Sequence, residues 1–305
     1  MPILYALSEI RTPFWDTVMG LVTQLGEQTI LLAVGMVMLW SVDKKWGMRL
    51  FWLGLIGAVL NLLLKSIFVV PRPWVLDPNF QIVASAQAAA TGYSFPSGHT
   101  QSAALLLGGV ALWKNKPWIW GLAIFGTLVV GFSRLYLGVH TPADVVVSLV
   151  LGAGLIAGAG VLFKRAEEKP HSMNALLLGG VVFACVVVLY TLFAPAGANN
   201  VAEFDAHGRE NAYTALGAML GLWCIQRADE KKIHFPTNAV WWAQAGKCVL
   251  GIGMVMLVRI VLKAPLHALF YGNEAAYGAR YFLMAVTGGV LWPLTFRFFS
   301  KLGKQ

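Results

Sequence analysis

Apolar runs long enough to cross a lipid bilayer, about 20 residues each, recur along the whole of this 305-residue chain. Such runs fold as helices, because backbone polar groups in hydrocarbon must find their partners within the segment. The runs stand near 27–42, 46–70, 97–113, 117–138, 142–163, 173–193, 211–226, 239–262 and 280–297. The expected fold is therefore all-α, a polytopic membrane helix bundle of about nine transmembrane helices. Composition agrees: 58% hydrophobic and 12% charged residues, with a mean hydropathy of +0.67, fall outside the soluble range. The weakly amphipathic segment 13–25 either lies in the interface or extends the first helix. No short basic region leads into an apolar stretch and a small-residue cleavage site, so no cleavable signal peptide is expected. Cys185, Cys224 and Cys248 sit in apolar runs and read as small core hydrophobes rather than a disulfide framework.

A net charge of +9 raises nucleic acid as a partner, but the distribution of the cations argues against it. Numbering the connections alternately places 14 of the 23 basic residues on one side, among them Lys44, Lys45, Arg49, Lys164, Arg165, Lys231, Lys232 and Lys304. Cytoplasmic connections carry that excess, which puts the N-terminus outside and the C-terminus inside. Arg72, His99, Arg134 and His140 then share the extracytoplasmic side.

Those four belong to a spaced set of polar residues in a mostly apolar chain. Ionised side chains are expensive in or beside a bilayer and usually mark function there. Lys65 and Arg72 are seven residues apart, about 20° from one helical face if the helix extends that far. Pro71 and Pro73 then stop it. Arg offers a planar fork for phosphate oxygens and Lys a point charge, although a pair of snorkelling cations reads equally well from these two alone. Pro96-Ser97-Gly98-His99 looks like a helix start with Ser97 as N-cap and Gly98 allowing close backbone approach. A helix start of this kind is a ready anion site, or simply an ordinary capped helix with a structural histidine. His140 and Asp144, one turn apart, can face the same way, with Thr141 as cap and Pro142 in the first turn. A carboxylate on one imidazole nitrogen fixes the tautomer and raises basicity at the other, which makes His140 the better nucleophile of the two histidines. Arg134 closes the preceding span near the same place.

Taken together, Lys-x6-Arg-Pro, Pro-Ser-Gly-His and Ser-Arg-x5-His-x3-Asp match every position of a three-part signature. The chain resembles the type 2 phosphatidic acid phosphatase superfamily over roughly residues 10–163. The segments Arg11-Thr12-Pro13 and Asp43-Lys44-Lys45 also look like its bacterial members. The resemblance implies a phosphatase core at 1–165, with additional transmembrane helices at 166–305. It implies that Lys65, Arg72 and Arg134, with the amides of Ser97 and Gly98, bind the phosphoryl oxygens. It further implies that His140 attacks phosphorus, oriented by Asp144, to form a phosphohistidine. His99 then protonates the leaving group and activates the hydrolytic water. Neither metal nor other cofactor is expected, because the fixed cations supply the charge stabilisation.

The expected substrate is a lipid phosphate or lipid diphosphate met at the membrane surface of a multi-pass protein, in a bacterial cytoplasmic membrane with the site facing outward. Membrane lipids are the expected partners and nucleic acid is not; the oligomeric state is left open. Similarity to sphingosine-phosphate phosphatases and to glucose-6-phosphatase keeps a soluble sugar phosphate as an alternative substrate, and a lipid transporter or scaffold as an alternative function. The vanadium haloperoxidases share the anion site but are soluble, which this composition excludes. The long connection 74–95 either shapes lipid access or lies on the surface, with Ala84 to Ala90 as a possible short helix. Glu203, Asp205, His207, Arg209 and Glu210 in loop 194–210 read as a solvated polar cluster rather than a metal site. Glu27 near the first span and Asn61, one turn before Lys65, either line the site or, the favoured reading, pack beside it, and His171, His234 and His267 read as incidental.

Overall fold

The computed structural model describes residues 1–87, 90–169, 172–195 and 199–302; His171, Lys304 and residues 196–198 of the loop expected at 194–210 lie outside them. Among the described residues every regular element is helical. In chain order these are α1 (Pro2–Glu9), α2 (Pro13–Gln24), α3 (Gln28–Val37), α4 (Lys44–Phe68), α5 (Pro73–Leu76), α6 (Gly98–Lys114) and α7 (Pro117–Tyr136). There follow α8 (Pro142–Glu168), α9 (Ser172–Phe193), α10 (Ala202–Ala228), α11 (Trp241–Val261), α12 (Lys263–Leu269), α13 (Ala275–Val286) and α14 (Phe296–Phe299).

Six segments are long and apolar enough to cross a membrane: Lys44–Leu76, Pro117–Tyr136, Pro142–Glu168, Ser172–Phe193, Trp241–Val261 and Ala275–Phe299. The stretch Pro13–Gln24 with Gln28–Val42 makes a seventh if its 47° bend is counted within one span. The chain is thus a multi-pass membrane protein, with fewer qualifying spans than the nine expected. Two expected spans are helices that fall short: α6 has only 17 residues, and α10 opens on Glu203, Asp205, Arg209 and Glu210. Large apolar side chains point outward along these helices, including Phe125 at 67% exposure and Ile260 at 73%, as a lipid-facing surface requires.

The chain divides into two compact units, one of Met1–Leu31, Ile56–Val161 and Tyr190–Gly208, the other of Leu32–Leu55, Leu162–Leu189 and Arg209–Gln305. In the first, Asn115 caps α6 in the left-handed region (φ 46°) and Pro117 opens α7, so Asn115 and Lys116 alone turn the chain. Small residues set the spacing of its helices. A Cβ on Gly57 of α4 would lie 2.1 Å from Leu105 of α6, and one on Gly108 of α6 would lie 2.3 Å from Ile156 of α8. Close backbone approach of this kind is how helices associate where lipid is as apolar as leucine.

One local expectation is corrected. Helix α4 stops at Phe68, and Val69 takes a left-handed φ of 49° before Val70-Pro71, so Arg72 leaves the helical face that Lys65 occupies. The residue before a proline is pushed out of the helical region, which ends the helix early. The connection 74–95 runs along the surface but is anchored inward: Phe80 and Tyr93 are 3% and 4% exposed, Ala86 and Ala90 pack with Tyr136, Leu137 and Val139, and residues such as Asn79, Gln81 and Gln87 stay exposed. Within it Ala84–Ala86 forms a short 3-10 turn, residues 88–89 being outside the described set. Arg11 pins the segment, donating from Nε to the Tyr136 carbonyl at 2.9 Å and from Nη1 to that of Gln81 at 2.6 Å.

The second unit is held by polar clips inside apolar packing. Trp40, fully buried, donates to the Gly288 carbonyl at 2.9 Å, and Lys44 pairs with Asp229 at 2.6 Å. Arg49 bonds Glu167 at 2.8 Å and stacks over Trp46. Gly217 and Gly278 let α10 and α13 meet at backbone distance.

Candidate active site

All eight residues expected to form a site lie in the first unit. Lys65 is in the last turn of α4, Arg72 caps α5, and Ser97, Gly98 and His99 begin α6. Arg134 ends α7, His140 stands in the link before α8, and Asp144 is in the first turn of α8. Helix ends converge here because prolines 73, 96 and 142 and the caps at Ser97 and Thr141 start helices at one level of the unit.

His140 and Asp144 are each 1% exposed. Arg72 Nη1 donates to His140 Nε2 at 3.0 Å, and a guanidinium can only donate, so Nε2 carries the lone pair. The proton therefore sits on Nδ1, which lies 3.4 Å from both Asp144 Oδ2 and Ser94 Oγ. Asp144 Oδ2 also accepts from Ser94 Oγ at 2.6 Å and from the Thr141 amide at 2.7 Å. Burial first, then the charges of Arg72, Arg134 and Lys65, hold the His140 imidazole well below its ordinary pKa. The contact with Asp144 is thus a hydrogen bond from a neutral ring, with the unprotonated nitrogen facing a cation.

The cations are held by carbonyls. Arg72 donates to Gly92, Val139 and Thr91 at 2.9, 3.0 and 2.8 Å, and Lys65 Nζ donates to Tyr93 and, at 3.3 Å, to Ser94. Arg134 is different. Its Nη1 donates to Thr23 Oγ1 at 2.8 Å, but its Nε and Nη2 are buried without a partner among the described residues. Buried unpaired donors are costly, and two on one guanidinium fit the planar fork that grips an oxyanion. The Ser97 amide is already engaged, donating to the Asp144 carbonyl at 3.2 Å, while the Ser97 side chain accepts from the Thr100 amide as an N-cap. A Cβ on Gly98 would meet only Asn61 Oδ1, at 3.6 Å, so backbone is open to a ligand there.

Three contacts lie beyond the expected set. Ser94, fully buried, bonds Asp144 yet belongs to no spaced motif. Glu27, for which packing is the favoured of two readings, places Oε1 2.9 Å from His99 Nε2. Asp205 accepts from Tyr93 Oη at 2.8 Å, and burial together with that carboxylate pushes the tyrosine up to about 12, so it stays a donor. Among the described residues no group of three or more His, Cys, Asp or Glu side chains is arranged to hold a metal ion.

Fold and site together define a multi-pass helical membrane protein with a buried cluster of cations and imidazoles suited to one tetrahedral anion. The "PAP2 superfamily" model matches residues 46–168, and the "PAP2 superfamily phosphatase, transmembrane extension" model matches 213–305. The chain belongs to the PAP2 superfamily. It is 37% identical over 115 residues to undecaprenyl-diphosphatase BcrC of Bacillus subtilis, covering 38% of this chain and 54% of that one. Undecaprenyl-diphosphatase of Sulfolobus acidocaldarius is 30% identical over 140 residues, 44% of this chain and 64% of the relative. Glucose-6-phosphatase 3 of Bos taurus is 23% identical over 309 residues, 93% of this chain and 81% of the relative. The chain thus spans between half and two thirds of the length of the two diphosphatases. No solved structure matches it.

Proposed function

We propose that this protein is an integral membrane phosphatase that hydrolyses a lipid phosphate or lipid diphosphate through a phosphohistidine, without a metal. The observation that carries the reading is an unprotonated His140 Nε2 bonded to the Arg72 guanidinium, with Arg134 among the charges acting on the ring and two of its buried donors unpaired among the described residues. In this reading Arg134, Arg72, Lys65 and the amides at Ser97 and Gly98 bind the phosphoryl oxygens. The Ser97 amide must then exchange the Asp144 carbonyl for substrate. His140 Nε2 attacks phosphorus as the bond to the leaving oxygen breaks, and its Nδ1 proton stays on the Asp144–Ser94 side. His99 protonates the leaving oxygen, then takes a proton from the water that cleaves the phosphorus–nitrogen bond. Phosphoryl transfer depends mainly on positioning and on charge stabilisation, which fixed cations supply.

Residues 1–165 carry this chemistry and 166–305 add helices. Counting the bent pair, α6 and α10 as crossings gives nine, with the N-terminus outside, the C-terminus inside and the site facing the extracytoplasmic side. The charge bias supports that orientation. Single cysteines placed at the exposed positions 45 and 79, with the three native cysteines removed, check it. Only the second should react with a membrane-impermeant thiol reagent in sealed cells.

A lipid is favoured because a site at the membrane surface meets headgroups at high local concentration, and two relatives are named for a lipid diphosphate. A sugar phosphate is the second reading, favoured by the alignment across 93% of the chain with a glucose-6-phosphatase. The test is inorganic phosphate release by the purified protein from undecaprenyl diphosphate, phosphatidic acid, sphingosine phosphate and glucose-6-phosphate, with EDTA present and His140→Ala as control. Turnover of a lipid by wild type alone supports the proposal. Exclusive turnover of the sugar phosphate supports the second reading, and phosphate release by the control equal to wild type removes both.

A further inference from the structure

The family match begins at residue 46, yet two contacts to the site come from before it. The chain breaks between α2 and α3 at residues 25–27. Thr23 bonds Arg134 on one side of that break, and Glu27 on the other reaches His99 Nε2 at 2.9 Å. The approach is tight: a Cβ on Gly26 would lie 2.5 Å from the carbonyl oxygen of His99, so only glycine lets the break sit against the start of α6. Arg134 and Arg72 also face His99. Burial first, and then these two guanidinium groups, favour the neutral His99 ring, and Glu27 opposes them.

We propose that Glu27 is the positioning residue of His99, so that the site contains two histidine–carboxylate pairs, one for each proton task. This rests on the phosphatase reading given above. Glu27 holds the proton on His99 Nε2 throughout, which leaves Nδ1 as the nitrogen that exchanges protons. As the bond from phosphorus to the leaving oxygen breaks, the imidazolium gives its Nδ1 proton to that oxygen and becomes neutral. In the second step Nδ1 takes a proton from water while the water oxygen bonds to phosphorus and the phosphorus–nitrogen bond breaks. One water is consumed, and the imidazolium returns.

The experiment compares wild type, Glu27→Gln, Glu27→Asp and His140→Ala, as purified full-length chains in detergent, on p-nitrophenyl phosphate and on a long-chain alkyl phosphate. The alkoxide needs a proton to leave and nitrophenolate scarcely does. Glu27→Gln should lower kcat on the alkyl phosphate by about tenfold to a hundredfold and on the nitrophenyl ester by less than about threefold, with KM little changed. Glu27→Asp, which keeps the charge, should lose less with the same bias, and it carries the comparison if the Gln variant aggregates. Equal losses on both substrates, a loss confined to KM, or wild-type rates in both variants would overturn the assignment while leaving the phosphatase reading intact, provided His140→Ala is inactive. If wild type releases phosphate from neither ester, both fall.

Discussion

His140 and Asp144 stand one helical turn apart and expose 2% and 1% of their side-chain surfaces, whereas His99 and Glu27 come from segments 72 residues apart and expose 14% and 29%. The first pair is sealed, its carboxylate oxygen shared with Ser94 and the Thr141 amide and its free nitrogen turned toward Arg72. The second opens to water. Under the proposed phosphatase function, that difference would let one site divide its labour. A nucleophile needs a fixed tautomer and protection from competing protons, while an acid that must recharge from water needs access to it.

The comparison breaks most sharply at the sealed pair. His140→Ala should lower phosphate release by about a thousandfold or more, with a melting temperature within a few degrees of wild type; a residual rate within tenfold would remove the nucleophile. Asp144→Asn should cost about a hundredfold in kcat. It should also destabilise the protein by about 1–3 kcal/mol, because the new amide cannot accept from Thr141, Ser94 and His140 together. Denaturation in detergent micelles tests the second part. Ser94→Ala removes one of three donors to Asp144 and should cost about tenfold in kcat, with about 1 kcal/mol of stability.

The smallest effect lies in the pH profile. His140 must be neutral to attack, and its lowered folded-state pKa keeps it neutral as pH falls through the ordinary imidazole value of about 6.5. The acid limb of the rate, corrected for the second ionisation of the phosphate, should therefore lie below that value. A limb at or above it would mean that the ring is not shielded as the geometry implies. The unfolded chain takes up the same proton near the ordinary value, so this histidine's contribution to stability should fall as pH drops below about 6.5.

How much of this was legible in the chain depends on separation along it. His140 and Asp144 are four residues apart at the start of one helix, and Ser97 caps the helix that His99 begins, so spacing and cap chemistry reveal both. The apolar runs announce an all-helical membrane protein for the same local reason. Spacing does not reveal contact between distant segments. Glu27 meets His99 only because α2 and α3 break beside a glycine. Ser94 reaches Asp144 only because its own amide is anchored on the Val70 carbonyl at 2.8 Å. The early end of α4 is half legible: Val70-Pro71 announces a stop, but the left-handed turn at Val69 one residue earlier goes against what a β-branched valine prefers.

The central claim is that His140 Nε2 forms a covalent bond to phosphorus, and trapping tests it most directly. Wild type and His140→Ala would be mixed with 32P-labelled substrate, quenched in alkali within milliseconds and digested for mass spectrometry. An acid-labile, alkali-stable label is expected on the peptide containing His140 in wild type only. A label on another residue, or steady turnover with no label at any quench time, would contradict it.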